Sequence, residues 1–193
     1  MTQEGIRSFM AGKLRGFARD EHAVSAIEFA LLLPLMITLY LGGVEVSQAV
    51  GADRKTTLVA HTVGDLVAQA TDITSGGADD ILAAASTIAA PFPVSNLKIT
   101  ISSVCIDSTG AIATIAWSRA SANATARSGT VTSSIDSRLM VAGTSLIWGE
   151  ASYDYRPTIG WTITGTLTMT DKTFLRPRLG KSVTLNSANG CPP

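Results

Sequence analysis

Charge is scarce in this chain: only 16% of its 193 residues are Asp, Glu, Lys or Arg, where soluble domains carry about a quarter. Fifteen basic and fifteen acidic residues cancel to a net charge of zero, and the pI is near 6.7. The sequence therefore has no global field to gather nucleic acid or acidic substrates. Cysteine is equally sparse, with only Cys105 and Cys191. Two thiols exclude a disulfide-dense scaffold and a four-cysteine zinc site, and leave room for one bridge in an oxidising compartment. Histidine is limited to His22 and His61, neither in a metal-binding spacing such as H-E-x-x-H. A Gly-x-Ser-x-Gly elbow, a Gly-rich phosphate loop and a dinucleotide fingerprint are all missing. The acid pair Asp79-Asp80 falls where a helix should start, and acids there are ordinarily solvated. The expectation is a non-enzyme with no cofactor, no metal, no nucleic-acid partner and no small-molecule substrate.

Apolar residues are what the chain has in excess, at 46% with a mean hydropathy of +0.28. The excess is localised, because Phe29 to Val44 contains no charged residue. A helix from Val24 to Val44 covers about 30 Å, the thickness of a bilayer's hydrocarbon core. Arg7, Lys13, Arg15 and Arg19 precede it, whereas the nearest basic residues behind it are Arg54 and Lys55. The positive-inside rule then leaves the N-terminus cytoplasmic and everything after Val44 outside. A secretory signal peptide is the rival reading, with the small residues from Ala49 to Ala52 as its cleavage region. The length of the run and Glu28 near its start argue against it. An acid within a span is by default a functional residue, and the alternative is that Glu28 sits at headgroup level.

The motif His22-Ala23-Val24-Ser25-Ala26-Ile27-Glu28-Phe29-Ala30-Leu31-Leu32-Leu33-Pro34 resembles the N-terminal signature of TadE-like proteins, the pseudopilins of the Tad (Flp-type) pilus system. In that family a basic leader ends in a small residue, usually Gly, and a prepilin peptidase leaves Glu and an aromatic at positions five and six of the mature chain. The resemblance places the scissile bond at Ala23-Val24, with Ala23 standing where Gly is usual. It also implies that Glu28 pairs with the new amine of a neighbouring subunit's Val24, with Phe29, Pro34 and Glu45 completing the motif. Pro34 removes one helical hydrogen bond and should bend or loosen the helix. The implied partners are the lipid bilayer, other pilin or pseudopilin subunits, the prepilin peptidase and the inner-membrane pilus platform. A weaker likeness covers Tyr153-Asp154-Tyr155-Arg156-Pro157 and Phe174-Leu175-Arg176-Pro177-Arg178.

Beyond the apolar run, Val59, Val63, Leu66, Val67 and Ala70 recur at helical spacing, which extends the helix outward to about Ala70. His61 reads as an exposed or half-packed helical residue. The Gly76-Gly77 pair reads as a break, followed by a second helix over Asp79–Ala89 that ends before Pro91 and Pro93. Leu97, Ile99, Ile101 and Cys105 then share one face of a strand, with Lys98, Thr100 and Ser102 on the other. A turn at Asp107-Ser108-Thr109-Gly110 leads to a returning strand along which Ala111, Ala113, Ile115 and Trp117 alternate. Ser118 to Thr132 reads as a loop, Ser145–Tyr155 as a strand, and Trp161, Ile163, Leu167 and Met169 as a further alternation. Thr173–Leu185 reads as a last, Pro-interrupted edge strand. Cys105 and Cys191 either bridge, pinning the end of the chain, or remain free thiols. Lys172, Arg176, Arg178 and Lys181 form a basic cluster that faces either an acidic partner or solvent.

The predicted fold is α+β and pilin-like: a long N-terminal membrane-spanning stem helix, a short second helix, then an antiparallel β-sheet. Its expected divisions are a removable leader (1–23), a transmembrane helix (24–44), an extracytoplasmic stem (45–75) and an extracytoplasmic α+β domain (76–193). The expected function is that of a minor pseudopilin that assembles by helix packing, lodged in the inner membrane with a periplasmic C-terminal domain. The competing reading is a single-pass anchored module that binds a ligand or surface outside any pilus. Such an anchor has no use for Glu28 or for a small residue at Ala23.

Overall fold

The structure, a computed structural model, describes residues 21–157 and 165–191, with side chains from residue 24 onward. It divides into two compact units, Met1–Val46 and Ser47–Pro193. The first helix, α1 (Glu21–Ala68), contributes to both. In the second unit it buries one face, on which Ala52, Thr56, Val59, Ala60, Val63, Val67 and Ala68 are at most 2% exposed. Residues four apart lie one above another on a helix, so Ala52, Thr56, Ala60, Gly64 and Ala68 form a stripe of small side chains. Leu66, expected on this face, is 41% exposed, because it lies about 100° round the helix from Val67. α1 ends at Ala68, two residues short of expectation.

A two-residue strand, β1 (Asp72–Ile73), leads into the second helix, α2 (Ser75–Ile88). This helix starts four residues before Asp79, so Gly76-Gly77 is its first turn and not a break. Thr74 is the reason: its hydroxyl accepts from the Gly77 N–H at 3.0 Å, satisfying a donor that a helix start leaves unpaired. A Cβ on Gly77 would meet that same hydroxyl at 3.2 Å. Ala78, Leu82 and Ala85 are the buried face of α2.

Four strands follow: β2 (Leu97–Ile106), β3 (Ala113–Ala120), β4 (Ser145–Tyr155) and β5 (Leu167–Leu175). They form one antiparallel sheet in the order β3-β2-β4-β5. The α+β arrangement expected from the sequence is therefore present. β5 takes in residues from two of the expected segments, Leu167 and Met169 from one and Thr173 from the other, while Trp161 and Ile163 lie outside the described residues. The single strand expected over Thr173–Leu185 is not formed. After Leu175 the chain leaves the sheet through Pro177, and β6 (Thr184–Leu185) pairs in parallel with β1.

The sheet is buried on both sides. Leu97, Ile99, Ile101, Trp117, Ile147, Ala151 and Tyr153 join the buried residues of α1 and α2 in the main core. On the opposite face Val104, Ile106, Leu146 and Trp148 pack with Val131 and Ile135. Thr100 and Ser102, expected on an open polar face, are 8% and 0% exposed. The cause is the segment after β3, which folds back over the sheet; within it Ser118 to Ala120 extend β3, and Val131 seats in the second core. Buried Ser102 is satisfied by the Ser118 hydroxyl at 2.8 Å.

The end of the chain is fastened to this body. Cys191 is disulfide-bonded to Cys105 on β2, and the Trp117 indole donates to the Val183 carbonyl at 2.8 Å. Asn186 caps α2 by accepting from the Ser75 N–H at 2.9 Å and donating to the Ser75 hydroxyl at 2.8 Å. Asp72 accepts from the Thr184 hydroxyl and from the Ser187 N–H.

Candidate functional site

The apolar half of α1 is exposed among the described residues. From Val24 to Tyr40 every residue is exposed, including Phe29 (61%), Leu31 (74%) and Leu39 (68%). Leucines, isoleucines and methionines point in all directions, which marks a helix meant to be surrounded and not one that lies on a core. It is also the one helix among the described residues long and apolar enough to cross a membrane. Pro34 sits inside it without ending it. Its ring leaves the Ala30 carbonyl without the usual N–H, and four residues on the Thr38 hydroxyl donates back to the Pro34 carbonyl at 2.8 Å.

Glu28 is the sole charged residue between Val24 and Val44. It is exposed and has no hydrogen bond or ion pair among the described residues. Val24 stands one helical turn before it on the same face, so a positive charge at Val24 and the Glu28 carboxylate would share one edge of the helix. Ala23 lies within α1, but its side chain is outside the described set. Glu45, at the outer end of the apolar run, is half-buried.

The basic residues expected to form one cluster are dispersed. The Arg178 guanidinium pairs with Asp65 of α1, and its backbone N–H donates to the Ala68 carbonyl at 2.8 Å, closing the helix end. Lys172 donates to the Ser134 carbonyl at 3.2 Å and lies 5.8 Å over the Phe174 ring. Arg176 and Lys181 are exposed. His61 is exposed on α1. Among the described residues no group of three or more His, Cys, Asp or Glu is placed to hold a metal.

Two hollows in the second unit were not legible in the sequence. One, of 690 Å³, opens on the outer face of the sheet among Lys98, Thr100, Asn123, Arg127, Glu150 and Thr170. Its wall is stiffened by Arg127, which forks onto Glu150 and stacks 4.2 Å over the Trp148 ring. The other, of 540 Å³, is aromatic and includes Gln48, Phe92, Tyr153 and Tyr155. Its residues come from three separate stretches of chain, so no local motif could have announced it.

Comparison with known proteins adds a family match. The family model described as TadE-like protein covers residues 23–65. No curated protein and no solved structure matches the chain. The tail stretches Tyr153–Pro157 and Phe174–Arg178 lie outside the match. Its limits instead coincide with the exposed apolar helix and its continuation onto the sheet, from the residue before Val24 to Asp65. Residues 23–65 are thus similar to the TadE-like family.

Proposed function

We propose that this chain is a non-catalytic, TadE-like minor pseudopilin that takes part in assembling a Tad/Flp-type pilus through packing of its apolar helix with other subunits. In this reading the precursor inserts with its N-terminus in the cytoplasm and its C-terminal domain in the periplasm. A prepilin peptidase cuts Ala23-Val24, and the mature subunit is handed to the inner-membrane platform. The observation that carries the reading is an exposed apolar helix, 24–44, whose only charge is Glu28. A lone carboxylate in hydrocarbon costs several kcal/mol. Cleavage before Val24 creates the compensating amine, and a pair between neighbouring subunits offsets both costs while fixing axial register.

The test is the intact mass of the protein from membranes of cells carrying the whole pilus system. A mature start at Val24 is expected. A start near Ala52 would mean a secreted protein, and an intact Met1 would favour the anchored module, for which the polar hollow at Arg127 and Glu150 is the available binding surface. Glu28→Ala should still insert but co-purify with fewer partner subunits. Unchanged co-assembly would remove the charge pairing from the mechanism.

A further inference from the structure

The polar hollow on the outer face of the sheet lies entirely within the second unit. Strand register sets its floor. Lys98, Ser152 and Thr170 stand in one row across β2, β4 and β5, and Thr100 and Glu150 begin the next. Alternate residues of a strand share a face, so these side chains project on one side of the sheet. The segment after β3 supplies the wall with Asn123, Arg127 and Ser128. It is tied in place by the Arg127 N–H, which donates to the Ser118 hydroxyl at 2.9 Å. The Asn123 amide donates to the Ser95 carbonyl at 3.0 Å, which leaves its own carbonyl oxygen uncommitted.

Thr100 is the residue that calls for a ligand. It is only 8% exposed, yet its hydroxyl makes no hydrogen bond with any described residue. Buried hydroxyls are normally paired, so its partner must come from whatever fills the hollow. Charge there is already cancelled. Lys98 pairs with Asp154 at 2.8 Å, Arg127 forks onto Glu150, and Lys172 reaches away to the Ser134 carbonyl at 3.2 Å. An ion therefore finds no excess of opposite sign. The Arg127–Glu150 fork still leaves N–H donors on the guanidinium and lone pairs on the carboxylate. A stacking ligand finds no ring either, because the apolar lining is alanine and Val131, and the Trp148 face is covered by Arg127 at 4.2 Å. What remains is a floor of hydroxyls from Thr100, Ser152 and Thr170 beside fixed planar edges, with donors and acceptors interleaved. It matches a neutral ligand whose polar groups each donate and accept, as sugar hydroxyls do. The volume of 690 Å³ falls within the range of about 300–1,000 Å³ for small-ligand sites.

We infer that the hollow framed by Thr100, Asn123, Arg127 and Glu150 is a binding site for a neutral oligosaccharide. The inference goes beyond subunit assembly and does not rest on it, since no residue of the apolar helix lines the hollow. Isotope-labelled full-length protein in nanodiscs is titrated with maltotriose, cellotriose, mannotriose, galactotriose and the trisaccharide of N-acetylglucosamine, and its backbone amide signals are followed. At least one sugar should shift the amides of Asn123 to Ser128 saturably and leave those of β6 in place. Thr100→Val should weaken that sugar by about threefold to tenfold, the loss of one hydrogen bond. Its thermal midpoint should be unchanged or higher, because the hydroxyl has no partner in the chain to lose. Glu150→Gln should also weaken the sugar, whereas Arg176→Gln, exposed and outside the hollow, should bind as the parent does.

Shifts from none of these sugars would overturn the inference. So would a binding curve that neither Thr100→Val nor Glu150→Gln changes, which would put the sugar elsewhere on the protein. Equal shifts from glycerol at matched hydroxyl concentration would overturn it as well, and stronger shifts from inorganic phosphate would make the hollow an anion site. If Thr100→Val does not fold, Glu150→Gln against the same sugar decides.

Discussion

At the scale of single residues the fold turns on how closely α1 approaches the sheet. A Cβ at Gly149 would lie 2.6 Å from the Ala60 carbonyl oxygen and 3.1 Å from the Gly64 nitrogen, both backbone atoms that cannot step aside. Gly149→Ala should therefore cost about 1–3 kcal/mol by overpacking, seen as a lower thermal midpoint in near-ultraviolet dichroism. Gly76→Ala is the control, since nothing lies within 4 Å of its Cβ position. There the change should be neutral or stabilise by up to about 1 kcal/mol, and equal losses at the two sites would refute the close-approach argument. Asp72 gives a second, pH-dependent test. The Thr184 hydroxyl above all, then the Ser187 N–H, hold its carboxyl below the ordinary value. A depressed folded-state value means stability that is present above the unfolded value of about 3.9 and lost as pH falls through the folded one. Asp72→Asn should therefore be less stable than the parent at neutral pH, with the gap closing in acid below about pH 4. Urea titrations across that range measure it, and a gap independent of pH would show that the carboxylate's charge is not what matters.

At the scale of elements, periodicity was a good guide wherever one face met one core. The alternation of Ile147, Ala151, Tyr153 and Tyr155 placed β4 with its ends, and the apolar run placed the exposed part of α1. It failed where partners were remote in sequence. α2 begins early because Thr74 caps it locally and Asn186 caps it from 111 residues away, so a Gly-Gly pair that reads as a turn becomes a first helical turn. Ser102 lies beneath a folded-back loop, which an alternating pattern cannot reveal. The final segment failed for the same reason: Arg178, Val183 and Asn186 bind α1, β3 and α2 rather than a sheet edge. The Cys105–Cys191 bond fastens that segment across a sequence separation of 86. Losing it should cost about 2–5 kcal/mol. In a Cys105→Ser/Cys191→Ser variant the amides of β6 and the first turn of α2 should exchange with solvent well before those of β2 and β4. Uniform loss of protection would mean the tail is integral to the core and not a fastening upon it.

At the scale of the whole molecule, the compact units divide the chain within α1, between Val46 and Ser47. The sequence places the extracytoplasmic domain at 76–193, because Gly76-Gly77 is the clearest interruption after the apolar helix. The second compact unit begins at Ser47, within the expected stem, because Val59, Ala60, Val63, Val67 and Ala68 are completely buried and belong to the main core. α1 is thus a membrane-type surface for its first half and a core element for its second, and hydropathy registers the first while only packing reveals the second. A fragment beginning at Ser47 should unfold cooperatively on heating, since it keeps every residue of both cores. One beginning at Gly76 should not, because removing α1 takes Ala52, Val59, Ala60, Val63, Val67 and Ala68 out of the main core and leaves only α2 against that face of the sheet. Near-ultraviolet dichroism and calorimetry on the two fragments decide the matter. If the shorter one folded cooperatively, α1 would be an accessory to the domain. If it does not fold, α1 is an integral part of the domain, and the same helix that carries the exposed apolar run also holds the sheet together.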